Sequence, residues 1–230
     1  MKIHGLQKMT LLDFPGKVAC TVFLGGCDFR CPFCHNSALL DMNAPAEMDD
    51  EELLAFLKKR VGLLEGVAFT GGEPLLRRDL PDLLVRIKEL GYPVKMDTNG
   101  NHPSLLKELV NDGLVDYVAM DIKNSPERYA ETIGLEAFDI SKVDESRAFL
   151  IEQKKIDFEF RTTVINEFHN KDSFRAIGPW IHGAQKYYLQ KFEDRDTVPF
   201  AGLTSPSEEA LNTYKEIVTP YVGLVELRGV

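Results

Sequence analysis

Short apolar stretches alternate with longer amphipathic segments along most of the chain, and this alternation predicts a repeating order of strands and helices. The apolar stretches predict strands at residues 18–24, 66–70, 94–98, 116–122, 157–165, 187–192 and 222–227. The amphipathic segments predict helices at residues 49–60, 79–90, 104–111, 127–133, 141–153, 171–181 and 206–218. The opening residues 1–17 are mixed in character and contain a turn at 13–16.

Strands that alternate with helices form parallel βαβ units, so the pattern indicates an α/β protein. Six such units fall short of the eight that close a barrel. A partial (β/α)6 TIM-like barrel and a doubly wound sheet both fit this order, and the periodicity does not choose between them. A length of 230 residues suits one domain, which we place at residues 1–230.

Composition and charge narrow the classes of partner. The formal net charge is −9 and the isoelectric point is about 5.1, which argues against nucleic acid or an anionic membrane as the main partner. The sequence has no stretch of 18 apolar residues and no apolar N-terminal run typical of a signal peptide. We therefore expect a cytoplasmic protein, whose thiols stay reduced.

Three of the four cysteines lie together after the first predicted strand, and their spacing predicts a metal centre. Cys27, Cys31 and Cys34 form a C-x3-C-x2-C pattern with Phe33 just before the last cysteine. A [4Fe–4S] cube normally takes four cysteines, so three would leave one iron open to bind a substrate. A structural zinc site completed by His35, and a loop of free thiols, are the alternatives.

The fourth cysteine and four of the histidines are separate from this loop. Cys20 lies in an apolar, β-branched stretch, which predicts a buried core residue on a strand and not a ligand. His4, His102, His169 and His182 do not cluster with the cysteines in the sequence. We interpret these histidines as surface or helix-cap residues.

Unusual polar residues follow or end the other predicted strands, where both candidate folds place their functional sites. They are Gly71-Gly72-Glu73-Pro74, Asp97-Thr98-Asn99-Gly100, Asp121 with Lys123, Arg161 with Thr163, and Gln190. Each has an ordinary explanation as a turn, a salt bridge or a satisfied core amide. Asp121 and Lys123 share one strand face and would also suit a zwitterion. Because the residues recur at successive strand ends, we interpret them as one site.

The cysteine loop and the glycine motif resemble those of a known family. The pattern of Cys27, Cys31, Phe33 and Cys34 is similar to the C-x3-C-x-aromatic-C signature of radical S-adenosylmethionine (radical SAM) enzymes, and residues 71–74 resemble their Gly-Gly-Glu-Pro motif. The resemblance implies a partial (β/α)6 barrel. It also implies a [4Fe–4S] cluster on the three cysteines, with S-adenosylmethionine (SAM) chelating the open iron.

Within that superfamily the chain resembles the activating proteins of glycyl radical enzymes. Residues 34–36, 97–100 and 120–123 look like their Cys-His-Asn motif and their third- and fourth-strand motifs. The resemblance implies that the methionyl amino group of SAM is held by five residues, which are Gly71, Gly72, Glu73, Thr98 and Asp121.

The same resemblance implies roles for five further residues around SAM. Lys123 would meet the carboxylate or the ribose, and Arg161 would lie near the cofactor. Phe33 and His35 would line the adenine side. Gln190 stands where pyruvate formate-lyase activators carry a histidine.

The resemblance implies an oxidoreductase that cleaves SAM reductively to a 5′-deoxyadenosyl radical, which takes a hydrogen atom from a glycine of a partner enzyme. The opening residues 12–17 look most like activators of anaerobic ribonucleoside-triphosphate reductase, which is the expected partner. A flavodoxin or ferredoxin is the expected electron donor. The alternatives are activation of pyruvate formate-lyase or another glycyl radical enzyme, radical chemistry on a small molecule, and a zinc or iron–sulfur binding module without enzymatic activity.

Overall fold

Strands and helices alternate along the chain as the sequence predicts, in a computed structural model that describes residues 1–230. The strands are β1 (Lys2–Ile3), β2 (Gly5–Thr10), β3 (Ala19–Leu24), β4 (Met48–Asp49), β5 (Gly66–Gly71), β6 (Val94–Thr98), β7 (Tyr117–Asp121), β8 (Asp157–Val164), β9 (Lys186–Lys191) and β10 (Leu224–Arg228). The α-helices are α1 (Asp50–Lys58), α2 (Leu80–Glu89), α3 (Pro103–Asn111), α4 (Tyr129–Thr132), α5 (Ser141–Glu152), α6 (Lys171–Trp180) and α7 (Glu208–Val218).

Eight strands form one sheet in the order β10-β9-β8-β7-β6-β5-β3-β2. All neighbours pair in parallel except β2 and β3, which are antiparallel. The two end strands, β10 and β2, do not pair with each other, so the sheet stays open along one side. Six consecutive parallel strands from β3 to β9 with intervening helices confirm the predicted partial barrel.

Alternate residues of the strands separate an apolar core from a charged interior. On β8, Phe158, Phe160 and Val164 are buried in the main hydrophobic core. The residues between them pair with charges from other strands: Glu159 pairs with Arg228 on β10, and Arg161 pairs with carboxylates on β6 and β7. This period of two follows from the pleat of the strand. The site described below lies among these inward-facing charges.

The N-terminal segment is more regular than the sequence predicts. Residues 1–17, for which no strand was predicted, contain β1 and β2. β2 is the edge strand of the large sheet and exposes Gln7, Lys8 and Met9, so its composition carries no clear apolar alternation. β1 pairs only with the two-residue strand β4. Elements of this kind depend on tertiary pairing more than on local sequence.

The helices begin and end close to the predicted positions. At α1 the Asp49 carboxylate accepts from the Glu52 N–H at 2.9 Å, and the Glu52 carboxylate accepts from the Asp49 N–H at 3.0 Å, which is a capping box. The short helix predicted near residue 130 is divided into a 3-10 turn at Pro126–Arg128 and α4.

None of the helices has the length and apolar character needed to cross a membrane.

Candidate active site

The three predicted cluster cysteines lie on the loop that leaves the carboxyl end of β3. Gly26 turns the chain there with a φ of +98°, and its N–H donates to the Leu39 carbonyl at 2.8 Å. Cys27, Cys31 and Cys34 all line one cavity of about 240 Å³. The fold therefore gathers the predicted ligands at one place, at the end of the barrel where functional residues are expected.

The chemistry of these three thiols fits an iron–sulfur cube. Burial raises the pKa of Cys27 to about 12 and that of Cys31 to about 11, and it also raises the pKa of Cys34. Thiols in such surroundings ionise when a metal centre compensates the charge. No group of three or more His, Cys, Asp or Glu side chains is arranged so that it could hold a single metal ion. A cube binds each cysteine to a different iron, so it does not require that convergence.

Two aromatic residues of the loop, His35 and Phe33, form part of the cavity wall. The His35 Nε2 atom lies 2.7 Å from the Glu193 carbonyl oxygen, and its ring stacks on Phe192 with the centroids 5.5 Å apart. Phe33 is buried against Phe168 at a centroid distance of 5.7 Å. The loop after β9 thus holds the His35 ring in place through its Nε2 atom and the stacked Phe192 ring.

Two glycines, Gly71 at the end of β5 and Gly72 after it, allow close contact with β3 and the cysteine loop. A Cβ at Gly72 would lie 2.1 Å from the Gly26 carbonyl oxygen, and a Cβ at Gly71 would lie 2.4 Å from that of Leu24. The N–H groups of Gly72 and Glu73 donate to the carbonyls of Leu24 and Gly26 at 2.8 and 2.7 Å. These two N–H groups are thus engaged by the end of β3 and the cysteine loop, and they are not free to bind a ligand.

The carboxylate of Glu73 braces the loop that follows β6. It accepts hydrogen bonds from the Thr98 hydroxyl at 2.8 Å, the Asn99 N–H at 2.6 Å and the Leu75 N–H at 3.0 Å. Burial outweighs these hydrogen bonds and raises the pKa of Glu73 to about 7. A direct contact between this residue and the methionyl amino group stays a prediction.

A chain of alternating charges crosses the cavity floor. Lys95 pairs with Asp97, and the Arg161 Nη2 atom lies 3.0 Å from the second oxygen of Asp97. Arg161 also donates from Nε to Asp121 at 2.7 Å, and Lys123 reaches the other Asp121 oxygen at 2.8 Å. The predicted pair of Asp121 and Lys123 is thus a salt bridge, and it forms part of a larger network.

The ion pairs of this network favour the charged forms of Asp121, Lys123 and Arg161. Burial opposes the ionisation of Asp121, but Arg161 and Lys123 hold its pKa well below its usual range. Asp121 in turn raises the pKa of Lys123 and Arg161 despite their burial. Of the three cations, only Lys123 and Arg161 line the cavity, where they face Asp97 and Asp121. Ammonium and guanidinium groups of this kind bind the carboxylate of an amino-acid group.

A second polar cluster surrounds Asp28, which the sequence argument did not single out. Its carboxylate accepts hydrogen bonds from the Asn99 and Asn101 side chains at 2.8 and 2.5 Å, and the His102 Nε2 atom lies 3.1 Å away. Burial opposes ionisation, yet these hydrogen bonds lower the pKa of Asp28 to about 2. Asp28 directly follows Cys27, so the cluster fixes one end of the cysteine loop.

Every residue to which the resemblance gives a role at the cluster or around SAM lies on the wall of the same cavity. These residues are Cys27, Cys31, Phe33, Cys34, His35, Gly71, Gly72, Glu73, Thr98, Asp121, Lys123, Arg161 and Gln190. The wall also contains residues to which no role was assigned, which are Phe29, Asn36, Leu40, Thr70, Asp97, Asn99 and Thr163. Asp97, Asn99 and Thr163 belong to the strand-end motifs, so their position was a usable signal. Phe29 and Leu40 carried no such signal.

The prediction that His4 and His169 are surface or cap residues is wrong. The buried His169 ring donates from Nε2 to the Lys123 carbonyl at 2.8 Å and accepts at Nδ1 from the Ile165 N–H at 3.2 Å. His4 is also buried, and its Nδ1 accepts from the Gly25 N–H at 2.8 Å. Both imidazoles serve as internal partners for backbone groups beside the site.

Known proteins resemble this chain in sequence. The sequence profile of the Radical SAM superfamily matches residues 21–172. A candidate glycyl-radical enzyme activating enzyme of Methanocaldococcus jannaschii is 29% identical over 236 residues, which cover 99% of this chain and 96% of that protein. The pyruvate formate-lyase-activating enzyme of Clostridium pasteurianum is 36% identical over 132 residues, which cover 54% of this chain and 52% of the enzyme.

A third relative is named for a different class of reaction. A Sulfolobus acidocaldarius protein assigned as a GTP 3′,8-cyclase is 36% identical over 163 residues, which cover 69% of this chain and 49% of that protein. The alignments with this protein and with the Clostridium enzyme therefore span only about half of each relative.

Solved structures share the fold. Streptococcus suis SuiB bound to precursor peptide SuiA matches with a TM-score of 0.72 at 14% identity, over 91% of this chain and 48% of that one. The protein anSMEcpe with bound AdoMet matches with a TM-score of 0.59 at 19% identity, over 86% and 58% of the two chains. These identities are low, so the likeness concerns the fold alone. Together with the profile match, it shows that the chain belongs to the radical SAM superfamily, whose enzymes use a [4Fe–4S] cluster and SAM.

Proposed function

We propose that this protein is an activase that generates a glycyl radical on a partner enzyme. The observation that carries the proposal is the similarity to a candidate glycyl-radical enzyme activating enzyme along nearly the whole of both chains. The shorter match to a pyruvate formate-lyase-activating enzyme points to the same reaction class. The cavity beside the cysteines supplies the binding groups that this chemistry needs.

In this proposal Cys27, Cys31 and Cys34 ligate the cluster. When bound, the cluster and SAM supply the one-electron chemistry that cleaves SAM and removes a hydrogen atom from a glycine. Lys123 and Arg161 of the floor network would bind the methionyl carboxylate.

The remaining residues of the wall would orient the rest of the SAM molecule. Thr98, Asp121 and residues 71–73 would hold the amino group, and Phe33, His35 and Gln190 would line the far side of the cavity.

The open side of the barrel supports the proposal that the substrate is a protein. A groove of about 730 Å³ runs between the end strands of the sheet and is lined by Gln7 and Thr10 of β2 and by Arg228 of β10. It shares Arg161 and Gln190 with the cysteine cavity, so the two spaces adjoin. A loop of a partner protein that enters this groove would bring a glycine towards the site of radical formation.

We further propose that the partner is anaerobic ribonucleoside-triphosphate reductase and that a flavodoxin or ferredoxin supplies the electron in the cytoplasm. The support for this partner is the resemblance of residues 12–17 to activators of that reductase. Pyruvate formate-lyase and other glycyl radical enzymes are the alternative partners.

The proposal is tested by electron paramagnetic resonance. The reconstituted protein is reduced anaerobically, mixed with SAM and incubated in turn with anaerobic ribonucleotide reductase and with pyruvate formate-lyase. We expect a glycyl radical signal on the reductase and none when Cys34→Ala replaces the wild-type activase. A signal on pyruvate formate-lyase alone would reassign the partner. Cleavage of SAM without a radical on any glycyl radical enzyme would contradict the activase proposal.

The second candidate is a radical SAM enzyme that acts on a small molecule. The match to a protein assigned as a GTP 3′,8-cyclase favours it over part of the chain. This candidate predicts that 5′-deoxyadenosine forms on addition of GTP without any partner protein. Mass spectrometry of the nucleotide pool after one turnover would distinguish it from the activase.

A further inference from the structure

Asn99 is the first residue after β6, and it contacts both the cysteine loop and the loop that follows β5. We propose that Asn99 is a positioning residue for the iron–sulfur cluster, which fixes the sulfur of Cys27 and donates a hydrogen bond to it. The inference depends on the cluster and not on the partner enzyme, so failure of glycyl radical formation would leave it open to its own test.

The contacts of Asn99 join three loops. Its main-chain N–H donates to Glu73 at 2.6 Å. Its side-chain Nδ2 donates to the Asp28 carboxylate at 2.8 Å and lies 4.0 Å from the Cys27 Sγ atom. Its Oδ1 accepts from the Asn101 N–H at 2.9 Å. Asn99 is itself buried, so water competes little for these contacts.

The orientation of the amide is fixed from both of its ends. The Asp28 carboxylate accepts a hydrogen bond from the NH2 end of Asn99 at 2.8 Å. The N–H of Asn101 only donates, so it requires the oxygen end. One hydrogen of the NH2 group serves Asp28, and the other is left for the sulfur of Cys27. The acidic residue next to the cysteine therefore aims a donor at that cysteine.

A hydrogen-bond donor beside the Cys27 sulfur affects the reduction potential of the cluster. Reduction adds negative charge to a cluster and its cysteine sulfurs, and hydrogen bonds to the sulfurs stabilise the reduced form. The Asn99 amide therefore raises the reduction potential, which makes the electron easier to supply. Asp28 keeps the amide in place and is itself held by Asn101 and His102.

The matched pair Asn99→Ala and Asn101→Ala tests the proposal. Both side chains donate to Asp28, but only that of Asn99 also contacts Cys27. The midpoint potential of the reconstituted cluster is measured by a redox titration followed by electron paramagnetic resonance, without SAM or partner. We expect a lower potential in Asn99→Ala and a potential near the wild-type value in Asn101→Ala.

A third variant keeps the test informative if the first one assembles poorly. Asn99→Asp has nearly the same size but places an acceptor beside Asp28 and Cys27, so we expect a lower iron content or a lower potential. Iron loss in both Asn99 variants with a normal Asn101→Ala cluster would support the positioning role. Equal shifts in Asn99→Ala and Asn101→Ala, or an unchanged potential in both Asn99 variants, would overturn it.

Discussion

Arg161 on β8 donates from Nε to the carboxylate of Asp121 on β7 at 2.7 Å, and the parallel register places these two residues directly side by side. The same guanidinium lies 3.0 Å from Asp97 on β6. One cation therefore holds two partly buried carboxylates across three strands. The floor of the candidate site and the stability of the barrel depend on the same side chain.

Replacing Arg161 tests whether this network contributes more to the free energy of unfolding than an ordinary surface ion pair does. Arg161→Gln leaves Asp97 and Asp121 without their shared cation, and we expect the free energy of unfolding to fall by about 2–4 kcal/mol. The control is Arg175→Gln, whose pair with Asp172 is largely exposed and should contribute less than about 1 kcal/mol. Urea unfolding of the cluster-free protein under reducing conditions measures both values. Equal losses in the two variants would contradict the assignment.

Lys123 is expected to act on SAM and not on the cluster. Lys123→Met removes the cation at the open end of the network, and we expect at least about a tenfold weaker affinity for SAM. Asp121→Asn should act in the same direction, while the iron content of both variants stays at the wild-type level. The control is Lys107→Met, because Lys107 pairs with Glu145 on the surface. Unchanged affinity in both site variants, measured by anaerobic equilibrium dialysis, would assign the pair a structural role only.

Gly72 is predicted to tolerate no side chain. In Gly72→Ala the new Cβ would lie 2.1 Å from the Gly26 carbonyl oxygen, which forces the glycine loop away from the cysteine loop. We expect a loss of about 2–3 kcal/mol or more in the free energy of unfolding, together with a lower iron content after reconstitution. Gly5→Ala is the control, since its Cβ would meet Phe23 at an ordinary 3.4 Å. A stable Gly72→Ala protein with a full cluster would refute the close contact.

Because His169 is buried, we predict that the free energy of unfolding depends on pH. Burial lowers its pKa to about 4, below the value of about 6.5 for an unfolded chain. The unfolded state therefore binds the proton more readily, so the free energy of unfolding falls as the pH falls from about 6.5 to about 4. This residue contributes at most about 1.4 kcal/mol per pH unit. Urea unfolding of His169→Gln should give a shallower decline than the wild type, and parallel curves would contradict the prediction.

The site could be predicted from the sequence because its residues sit in short motifs at successive strand ends. The C-x3-C-x2-C spacing and the polar residues after β5, β6 and β7 are local patterns, and parallel strands bring their carboxyl ends together without further information. This is why residues as distant in the chain as Cys27 and Gln190 line one cavity. Periodicity alone did not choose between an open barrel and a doubly wound sheet; the resemblance of the motifs implied the barrel, and the pairing of the strands confirms it.

The relationships that the sequence did not reveal all depend on tertiary contact. Asp28 and His102 are separated by 74 positions, and neither belongs to a motif that points to the other. His169 looked like a surface residue because its partners are backbone groups of Lys123 and Ile165, which leave no trace in composition. The resemblance gives Gly72 a role in holding SAM, whereas the neighbour that requires glycine at this position is the carbonyl of Gly26.

The measurement that tests the central claim most directly is an anaerobic assay of SAM cleavage. The reconstituted wild type, Cys34→Ala and Cys20→Ala are reduced with dithionite and incubated with SAM, with and without the partner enzyme, and 5′-deoxyadenosine is quantified. We predict product from the wild type and from Cys20→Ala, whose sulfur is buried in the core of β3, and none from Cys34→Ala. Equal product from Cys34→Ala and the wild type, or no product from a wild type with a complete cluster and partner, would contradict the account.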